Sequence, residues 1–260
     1  MKIHRTLVEA IAFGLEEIFK EGWYADKVIE RLLKTDPRWG SRDRAFIAEN
    51  TYEMVRWRRL VNALDGRQWV NDDGLRMGHS DVIRLVGVNL LLKNINAPTY
   101  GFELPDWPEF AGLKQKDILE RRNALAADRR TTQSVPNWLD ELGLAELGDA
   151  WNTELTALNF PATVVVRANT LKTNKLELKK RLAEEGWETT ETPLAPDALV
   201  LNRRGNIFQS PLFLQGFFEV QDAGSQCIAT FLNVTPGMRV VDTCAGAGGK
   251  SLHLAALMQN

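Results

Sequence analysis

The sequence predicts a multidomain chain with an all-α N-terminal part, a small α+β part and the start of a further α/β domain. Apolar residues recur at helical spacing through most of the first part. A β-branched run at residues 163–166 indicates a change to strand structure, and a glycine-rich turn follows a strand-like run near residue 240. We expect the parts to span residues 1–150, 151–215 and 216–260.

The composition excludes several classes of protein. The 260 residues are 44% apolar and 25% charged, which is ordinary for a globular chain with room for more than one core. No apolar run approaches the roughly 20 residues that a membrane helix needs, and Glu9, Glu16 and Glu17 interrupt any secretory signal. We therefore expect a cytoplasmic protein without membrane contact.

Charge and cysteine content narrow the possible partners. The formal net charge of −2 argues against coating nucleic acid by a bulk positive field, although local basic patches remain possible. Cys227 and Cys244 cannot form a disulfide framework and make a poor zinc site, so we expect two reduced thiols and no metal. We also expect a monomer. His253 is expected to be a surface or capping residue.

The first part contains four predicted helices before a loop. The first carries an apolar stripe from Leu7 to Ile18 and ends at Gly22. The second begins near Asp26, the third is capped by Ser41 and runs to about residue 64, and the fourth is capped by Ser80. Residues 94–116 contain too many prolines and glycines for a long element, and helix resumes over residues 117–128 with short helices after residue 136.

A basic cluster lies within these helices. Six arginines and three acids fall between Arg38 and Arg59, together with two tryptophans. One interpretation is RNA binding, with phosphate contacts from Arg38, Arg42 and Arg44 and stacking of unpaired bases. The other is structural, with the tryptophans in the core and the arginines paired with nearby acids. The sequence leaves both open.

The later parts alternate strands and helices. We expect a strand at residues 163–166, a helix capped by Thr173 or Asn174 and ended by Gly186, and a strand at 198–201. A further strand at 217–220, a helix at 223–232, a strand at 238–241 and a helix at 250–258 follow.

The turn between the last strand and helix has three competing interpretations. A nucleoside-triphosphate P-loop would need glycine at residue 244, which is cysteine, and a dinucleotide fingerprint would need a third glycine where Ser251 stands. The first loop of a Rossmann-like methyltransferase fits Asp242, Gly246 and Gly248 without exception. Glycines there let the backbone approach a ligand closely, and the acid can orient either the loop or the ligand's ammonium group. A purely structural turn remains an alternative.

Three segments together resemble a known family. DTCAGAGGKS at 242–251, VQDAGSQ at 220–226 and VVRANTLKT at 165–173 are similar to the Sun-type, or Fmu-like, S-adenosylmethionine-dependent RNA cytosine-5 methyltransferases, in particular the bacterial ribosomal RNA branch. The resemblance implies that residues 1–150, with PRWGSRDRAF, form a NusB-like helical RNA-binding domain. It further implies a small RNA-recognition-like domain and then the start of a Rossmann-like catalytic domain.

The resemblance also assigns residues. It implies RNA contacts from Arg167, Asn169 and Lys172. It implies S-adenosylmethionine binding by the loop residues Cys244, Ala245, Gly246, Ala247, Gly248, Gly249 and Lys250. Many members have proline where Ala247 stands, which we expect to change loop stiffness more than chemistry.

The family's catalytic cysteines are expected to lie elsewhere. In the family they occur in P-C-S-G and T-C-S segments well after the glycine loop, and neither segment occurs in this sequence. The resemblance therefore predicts a truncated chain whose nucleophile lies C-terminal to Asn260. We expect the 260 residues by themselves neither to methylate RNA nor to bind the cofactor well. The alternative is a non-catalytic RNA-binding module with a vestigial cofactor loop.

Overall fold

The structure, a computed structural model, describes residues 3–67 and 78–260. The chain divides into two compact units, Met1–Phe160 and Pro161–Asn260. None of the described helices is long and apolar enough to cross a membrane.

The first unit contains helices and no strand among its described residues, as predicted. Its helices are α1 Arg5–Lys20, α2 Ala25–Leu32, α3 Ser41–Arg56, α4 Arg58–Asp65, α5 His79–Asn96, α6 Gln115–Ala124, α7 Arg129–Thr132, α8 Asn137–Leu147 and α9 Trp151–Asn159. Helix α1 packs against α3 and α5. Every residue from 82 to 94 of α5 is buried, because this helix is apolar on several faces and lies at the centre of the unit.

A buried ion pair compensates for one charge on α5. The Arg84 guanidinium donates to the Asp65 carboxylate at the end of α4, with Nε and Oδ1 2.7 Å apart. Arg84 also donates to the backbone carbonyls of Glu109 and Ala111. A buried charge is tolerated when it is paired and its remaining donors are satisfied.

Two helices begin earlier than the predicted caps Ser41 and Ser80 imply, α3 by one residue and α5 by two. The cap positions are Gly40 and Gly78, whose backbone N–H groups donate to the carboxylates of Asp43 and Asp81 at 3.1 and 3.0 Å. Ser41 is therefore the first residue of α3 and is not its cap. In each helix, an acid at the third helical position accepts the backbone N–H of the cap residue, which is one of the two interactions of a capping box.

The predicted third helix is two helices. The chain breaks at Trp57, whose φ of −104° and ψ of 21° are not helical, and α4 then runs to Asp65. Helix α2 has Tyr24 at its cap position, so Asp26 lies in the first turn. Gly22 has a φ of +75° just beyond α1, in agreement with its predicted role in ending that helix.

The second unit contains a four-stranded antiparallel sheet. Its elements are β1 Val165–Ala168, α10 Lys175–Glu184, β2 Thr189–Glu191, β3 Ala198–Leu201, α11 Pro211–Leu214, β4 Phe218–Val220, α12 Ala223–Phe231 and α13 Gly249–Met258. The strand order is β2-β3-β1-β4. Val166 of β1 pairs with Leu199 of β3 on one side and with Val220 of β4 on the other.

Helix α10 and the sheet share a core. The Asn174 side chain accepts a hydrogen bond from the Glu177 backbone N–H at 3.0 Å, which confirms Asn174 as the cap. Leu178 and Leu182 of α10 are fully buried against Val166 and Phe218. A small α+β part is thereby confirmed.

One predicted strand is wrong. Residues 238–241 form no strand, and Val241 is 83% exposed. A strand is defined by hydrogen bonds to a neighbouring strand, and no neighbour for this segment occurs among residues 3–67 and 78–260. The strand at 218–220, predicted as the first of the third part, pairs with β1 in the same sheet as the second part. The division into three domains stays a prediction.

Candidate functional site: the glycine-rich loop and its buried support

The glycine-rich loop runs from Asp242 to the start of α13. Gly246 and Gly248 have φ values of +54° and +82°, a region that residues with a Cβ rarely adopt. The Gly248 N–H donates to the Ala245 carbonyl at 2.8 Å, and the Gly248 carbonyl accepts the Leu252 N–H at 2.8 Å. The loop thus closes as a tight turn and continues directly into the helix.

Asp242 orients this loop. Its Oδ1 accepts the Cys244 backbone N–H at 3.1 Å, and its Oδ2 accepts the Ser251 hydroxyl at 2.6 Å. The Ser251 hydroxyl and then the Cys244 amide hold the pKa of Asp242 below its usual value. The sequence leaves two roles open for this acid: orienting the loop or orienting the ammonium group of a ligand. The contacts with Cys244 and Ser251 correspond to the first of these roles.

The loop is open on the side of the helix N-terminus. A Cβ built on Gly246, Gly248 or Gly249 meets no other atom within 4 Å, so a ligand can approach the backbone there. The first turn of α13 leaves N–H groups without intrahelical acceptors, and the positive end of the helix dipole favours an anion. The carboxylate at the methionine end of S-adenosylmethionine fits this arrangement.

A buried hydrogen-bonded chain connects β1 to this loop. Arg167 is only 1% exposed, and its Nε donates to Gln221 Oε1 at 2.7 Å. The Gln221 side-chain amide donates to the Gly249 carbonyl at 3.3 Å, and Gln226 donates to the Gln221 carbonyl at 3.0 Å. Burial lowers the pKa of Arg167, while the charges of nearby carboxylates act in the opposite direction.

His253 on α13 lies in the same region, and its prediction as a surface or capping residue is wrong. It is 3% exposed, and neither ring nitrogen has a hydrogen-bond partner among the residues that the structure describes. Burial, and secondarily the charge of Arg167, lowers the pKa of His253 to about 4. The imidazole is therefore neutral near pH 7. Helix α13 packs against α12, and His253 is one of its buried residues, so the packing of the two helices removes the imidazole from solvent.

Asn169 and Lys172 hold a turn. The Asn169 side-chain amide donates to the Gly216 carbonyl at 2.9 Å, and Lys172 Nζ donates to the Gln215 carbonyl at 2.7 Å. Gly216 has a φ of +72°, and a Cβ there would lie 3.1 Å from Lys172 Nζ. These two residues fix the approach to β4 and therefore the position of Gln221 just after it.

Part of the basic cluster of the helical unit forms hydrogen bonds with backbone carbonyl groups. Arg44 donates to the carbonyls of Trp39 and Leu33, both at 2.9 Å, while Arg38 pairs with Asp36 at 2.7 Å. Arg42 is exposed on α3. The structural interpretation expected pairing with acids of α3, but Arg44 finds carbonyl partners instead.

Arginines at the end of the cluster bind the segment after α7. Arg59 donates to the Val135 carbonyl at 2.9 Å and to Asn137 Oδ1 at 2.7 Å, and Arg56 donates to the Ser134 carbonyl. Trp57 is half-buried against the core. This part of the cluster holds the helical unit together.

Comparisons with known proteins agree with these observations. A model of the "Methyltr_RsmF/B-like, ferredoxin-like domain" matches residues 135–208. The chain is 30% identical over 269 residues to a probable ribosomal RNA small subunit methyltransferase B of Synechocystis, covering 94% of this chain and 59% of that protein. It is 34% identical over 225 residues to ribosomal RNA small subunit methyltransferase B of Xylella fastidiosa, covering 82% of this chain and 52% of that protein. These matches confirm the resemblance of this chain to the Sun-type, or Fmu-like, methyltransferases.

The matches extend over most of this chain but over less than two thirds of either relative. The chain spans between half and three fifths of the length of these two proteins. A solved structure, that of PH0851, aligns with all of this chain and 62% of its own, with a TM-score of 0.59 and 20% identity, and it supports the fold. The ferredoxin-like match includes β1, β2 and β3, in agreement with a small α+β part.

Gln221 and Gln226 are the site residues that sequence reasoning missed. Both belong to the VQDAGSQ segment that carries part of the Sun-type resemblance, yet nothing in the spacing assigned them a role. Two glutamines five residues apart in a segment that turns from strand to helix were the available signal. Within the described parts of the chain, no group of three or more His, Cys, Asp or Glu residues is placed to hold a metal.

Proposed function

We propose that this chain contributes the RNA-binding part and the first cofactor loop of an S-adenosylmethionine-dependent RNA cytosine-5 methyltransferase with ribosomal RNA as substrate. The observation that carries the proposal is the loop at 242–250, which presents two left-handed glycines and a free helix N-terminus in a chain that resembles the Sun-type family. The printed names of the relatives, ribosomal RNA small subunit methyltransferase B, support the substrate class.

The loop residues have separate tasks in this proposal. When bound, S-adenosylmethionine supplies an electrophilic methyl group. The backbone N–H groups of the first turn of α13 bind its carboxylate, and Gly246 and Gly248 leave room for its close approach. Asp242 keeps the loop in this conformation through its hydrogen bonds with Cys244 and Ser251. Gln221, which accepts from Arg167, fixes Gly249 by donating to its carbonyl.

The RNA contacts proposed from the sequence differ in their surroundings. Arg42 and Arg38 are exposed and suited to phosphate contacts. Arg44, Asn169 and Lys172 already donate to backbone carbonyls, so any RNA contact would use their remaining donors. For Arg167, at 1% exposed, we propose positioning of the cofactor loop through Gln221.

The two cysteines are not suited to nucleophilic attack on cytosine. Cys227 is half-buried on α12, and its thiol donates to the Leu194 and Ala223 carbonyls at 3.1 and 3.4 Å. Cys244 is exposed within the cofactor loop, where the family has no nucleophile. We therefore expect residues 1–260 alone to transfer no methyl group.

Calorimetric titration with S-adenosylmethionine tests the proposal. It is carried out on this chain and on a protein that also contains the P-C-S-G and T-C segments, with methyl transfer to small-subunit ribosomal RNA measured in parallel. We expect the longer protein to bind the cofactor and to form 5-methylcytosine. Gly248→Ala should weaken binding, because alanine is strained at a φ of +82°.

Gly237→Ala is the matched control, since Gly237 also has a left-handed φ, +88°, but lies outside the loop. Equal cofactor affinity of the two variants would contradict binding at this loop. Binding of ATP or a nicotinamide there, with no competition from S-adenosylmethionine, would overturn the assignment. RNA binding without any cofactor binding by the longer protein would favour the non-catalytic RNA-binding module.

A further inference from the structure

Residues of helices α3 to α7 of the first unit line a cavity of about 420 Å³ that is open to solvent. This volume lies within the range of roughly 300–1,000 Å³ that small-molecule sites occupy. Its lining residues all belong to the helical unit, and none belongs to the glycine-rich loop.

The cavity wall contains a buried charge held in a fixed position. Lys93 is 6% exposed, and its ammonium group lies 2.9 Å from Glu53 Oε2 and 3.4 Å from Asn50 Oδ1. Asn89, 2% exposed, donates to the same Asn50 oxygen at 3.2 Å. Hydrogen-bonding groups that are this strongly constrained are suited to recognising the edge of a polar ligand, because little ordering is needed on binding.

Other walls supply an aromatic surface and positive charge. Trp57 lines the cavity, and the Arg56 guanidinium lies 5.0 Å from the centre of its ring. Arg122 also lines it and donates to Asn96 Oδ1 at 2.7 Å. Arg56 itself does not line the cavity; among the lining residues, the cations Lys93 and Arg122 exceed the one acid, Glu53, by a single positive charge.

We propose that this cavity binds one nucleotide. A nucleotide combines a planar base, hydrogen-bonding edges and an anionic phosphate, and the cavity offers an indole, carboxamides and cations. Asparagine side chains can donate to and accept from a base edge, and unpaired bases in RNA are commonly recognised by aromatic stacking together with edge contacts. The nucleotide is an unpaired residue of RNA, and in this respect the inference rests on the proposed function.

The test compares a double variant with a control variant. The double variant, Asn96→Ala on α5 with Arg122→Ala on α6, removes one hydrogen-bonded pair from the cavity wall. The control, Lys116→Ala, removes a cation from α6. Lys116 is the matched control, because its side chain is 82% exposed and does not line the cavity. Thermal unfolding establishes that both variants are folded.

The probes are a short single-stranded RNA, the duplex of the same sequence, the four nucleoside monophosphates and inorganic phosphate. We expect the double variant to bind the single strand about tenfold more weakly than the unmodified chain, and the control within about twofold. A 4-thiouridine RNA should crosslink to the peptide that contains Trp57. Equal affinity of both variants for the single strand, or equal affinity of the chain for single strand and duplex, would overturn the proposal.

Two further arms separate the source of the nucleotide and the fate of the proposed function. Binding of monophosphates, but not RNA, that is lost in the double variant would support the nucleotide chemistry and reject RNA as its source. Inorganic phosphate competing as well as the monophosphates would reject base recognition. Cofactor affinity should be unchanged in the double variant, so failure of the cavity leaves the glycine loop unaffected and failure of the loop leaves the cavity unaffected.

Discussion

At the scale of single residues, Gln221 connects the sheet to the glycine-rich loop. It accepts from Arg167 and donates to the Gly249 carbonyl, so one side chain satisfies a buried cation and positions the start of α13. A buried guanidinium that loses its acceptor retains the cost of its desolvation.

Gln221→Leu should therefore lower the free energy of unfolding by about 1–3 kcal/mol. It should also weaken cofactor binding in a protein that contains the complete catalytic domain. Urea unfolding measures the first effect and calorimetry the second. Gln209→Leu, at an exposed position of the same unit, is the control and should change stability by less than about 0.5 kcal/mol. If the two variants have the same unfolding free energy and the same cofactor affinity, the hydrogen-bonded chain through Gln221 does not position the loop.

His253 predicts a pH dependence at the same scale. Its pKa is about 4 in the folded chain, below the ordinary value of 6.5, because the charged imidazolium is disfavoured by burial and then by Arg167. Between these two values the unfolded chain binds more protons than the folded chain. Stability from this group is therefore complete above about pH 6.5 and is lost as the pH falls toward 4.

Urea unfolding at several pH values between 4 and 7 measures this loss. His253→Leu removes the titrating group while keeping an apolar side chain in its place, so its unfolding free energy should fall less steeply over that interval. If the unmodified chain and the variant lose stability in parallel, the titration belongs to other groups.

At the scale of elements, α8 and α9 pack through a glycine. A Cβ built on Gly143 would lie 2.3 Å from the Trp151 indole, and the Trp151 N–H donates to Asp140 at 2.9 Å. Arg129, followed by Trp151 and Arg130, holds the pKa of Asp140 well below its usual range. The indole is held by this hydrogen bond and is buried, so it cannot readily shift to make space for a Cβ on Gly143.

Gly143→Ala should destabilise the helical unit by about 1–3 kcal/mol, although alanine favours a helix over glycine by nearly 1 kcal/mol. Thermal unfolding measures the change. Gly249→Ala is the comparison, because a Cβ on this helical glycine meets nothing within 4 Å and should not lower stability. Greater stability of Gly143→Ala than of the unmodified chain would contradict the close packing.

Local sequence signals decided several elements correctly. The sequence predicts Thr173 or Asn174 as the cap of α10, and Asn174 is the cap; the interaction of its side chain with a first-turn N–H needs only neighbouring residues. The strand predicted at 238–241 depends on a hydrogen-bonded neighbour, which local sequence cannot provide. Trp57 was placed inside one long helix because its break is set by packing against later segments.

At the scale of the whole molecule, a net charge of −2 makes any RNA binding depend on local groups of cations. Arg38 and Arg42 are exposed near the start of α3, whereas several other arginines of the cluster bind backbone carbonyls. The electrostatic contribution to RNA affinity should therefore come from few side chains.

Arg38→Glu with Arg42→Glu should weaken RNA binding similarly for all sequences and reduce the slope of log affinity against log salt by about two. Fluorescence anisotropy at several salt concentrations measures both quantities. Lys27→Glu, which changes an exposed cation of α2, serves as the control. An unchanged affinity and slope would show that the cluster is structural.

The sequence by itself determined the helical and α+β parts, the family resemblance and the glycine-rich loop, because these depend on periodicity, caps and backbone freedom within a few residues. It did not determine that Arg167 is buried or that His253 lies inside. Both outcomes require β1, the segment after β4 and α13 to meet, and these are far apart along the chain. Only tertiary packing decides which polar side chains leave water, and their pKa values and roles follow from that burial.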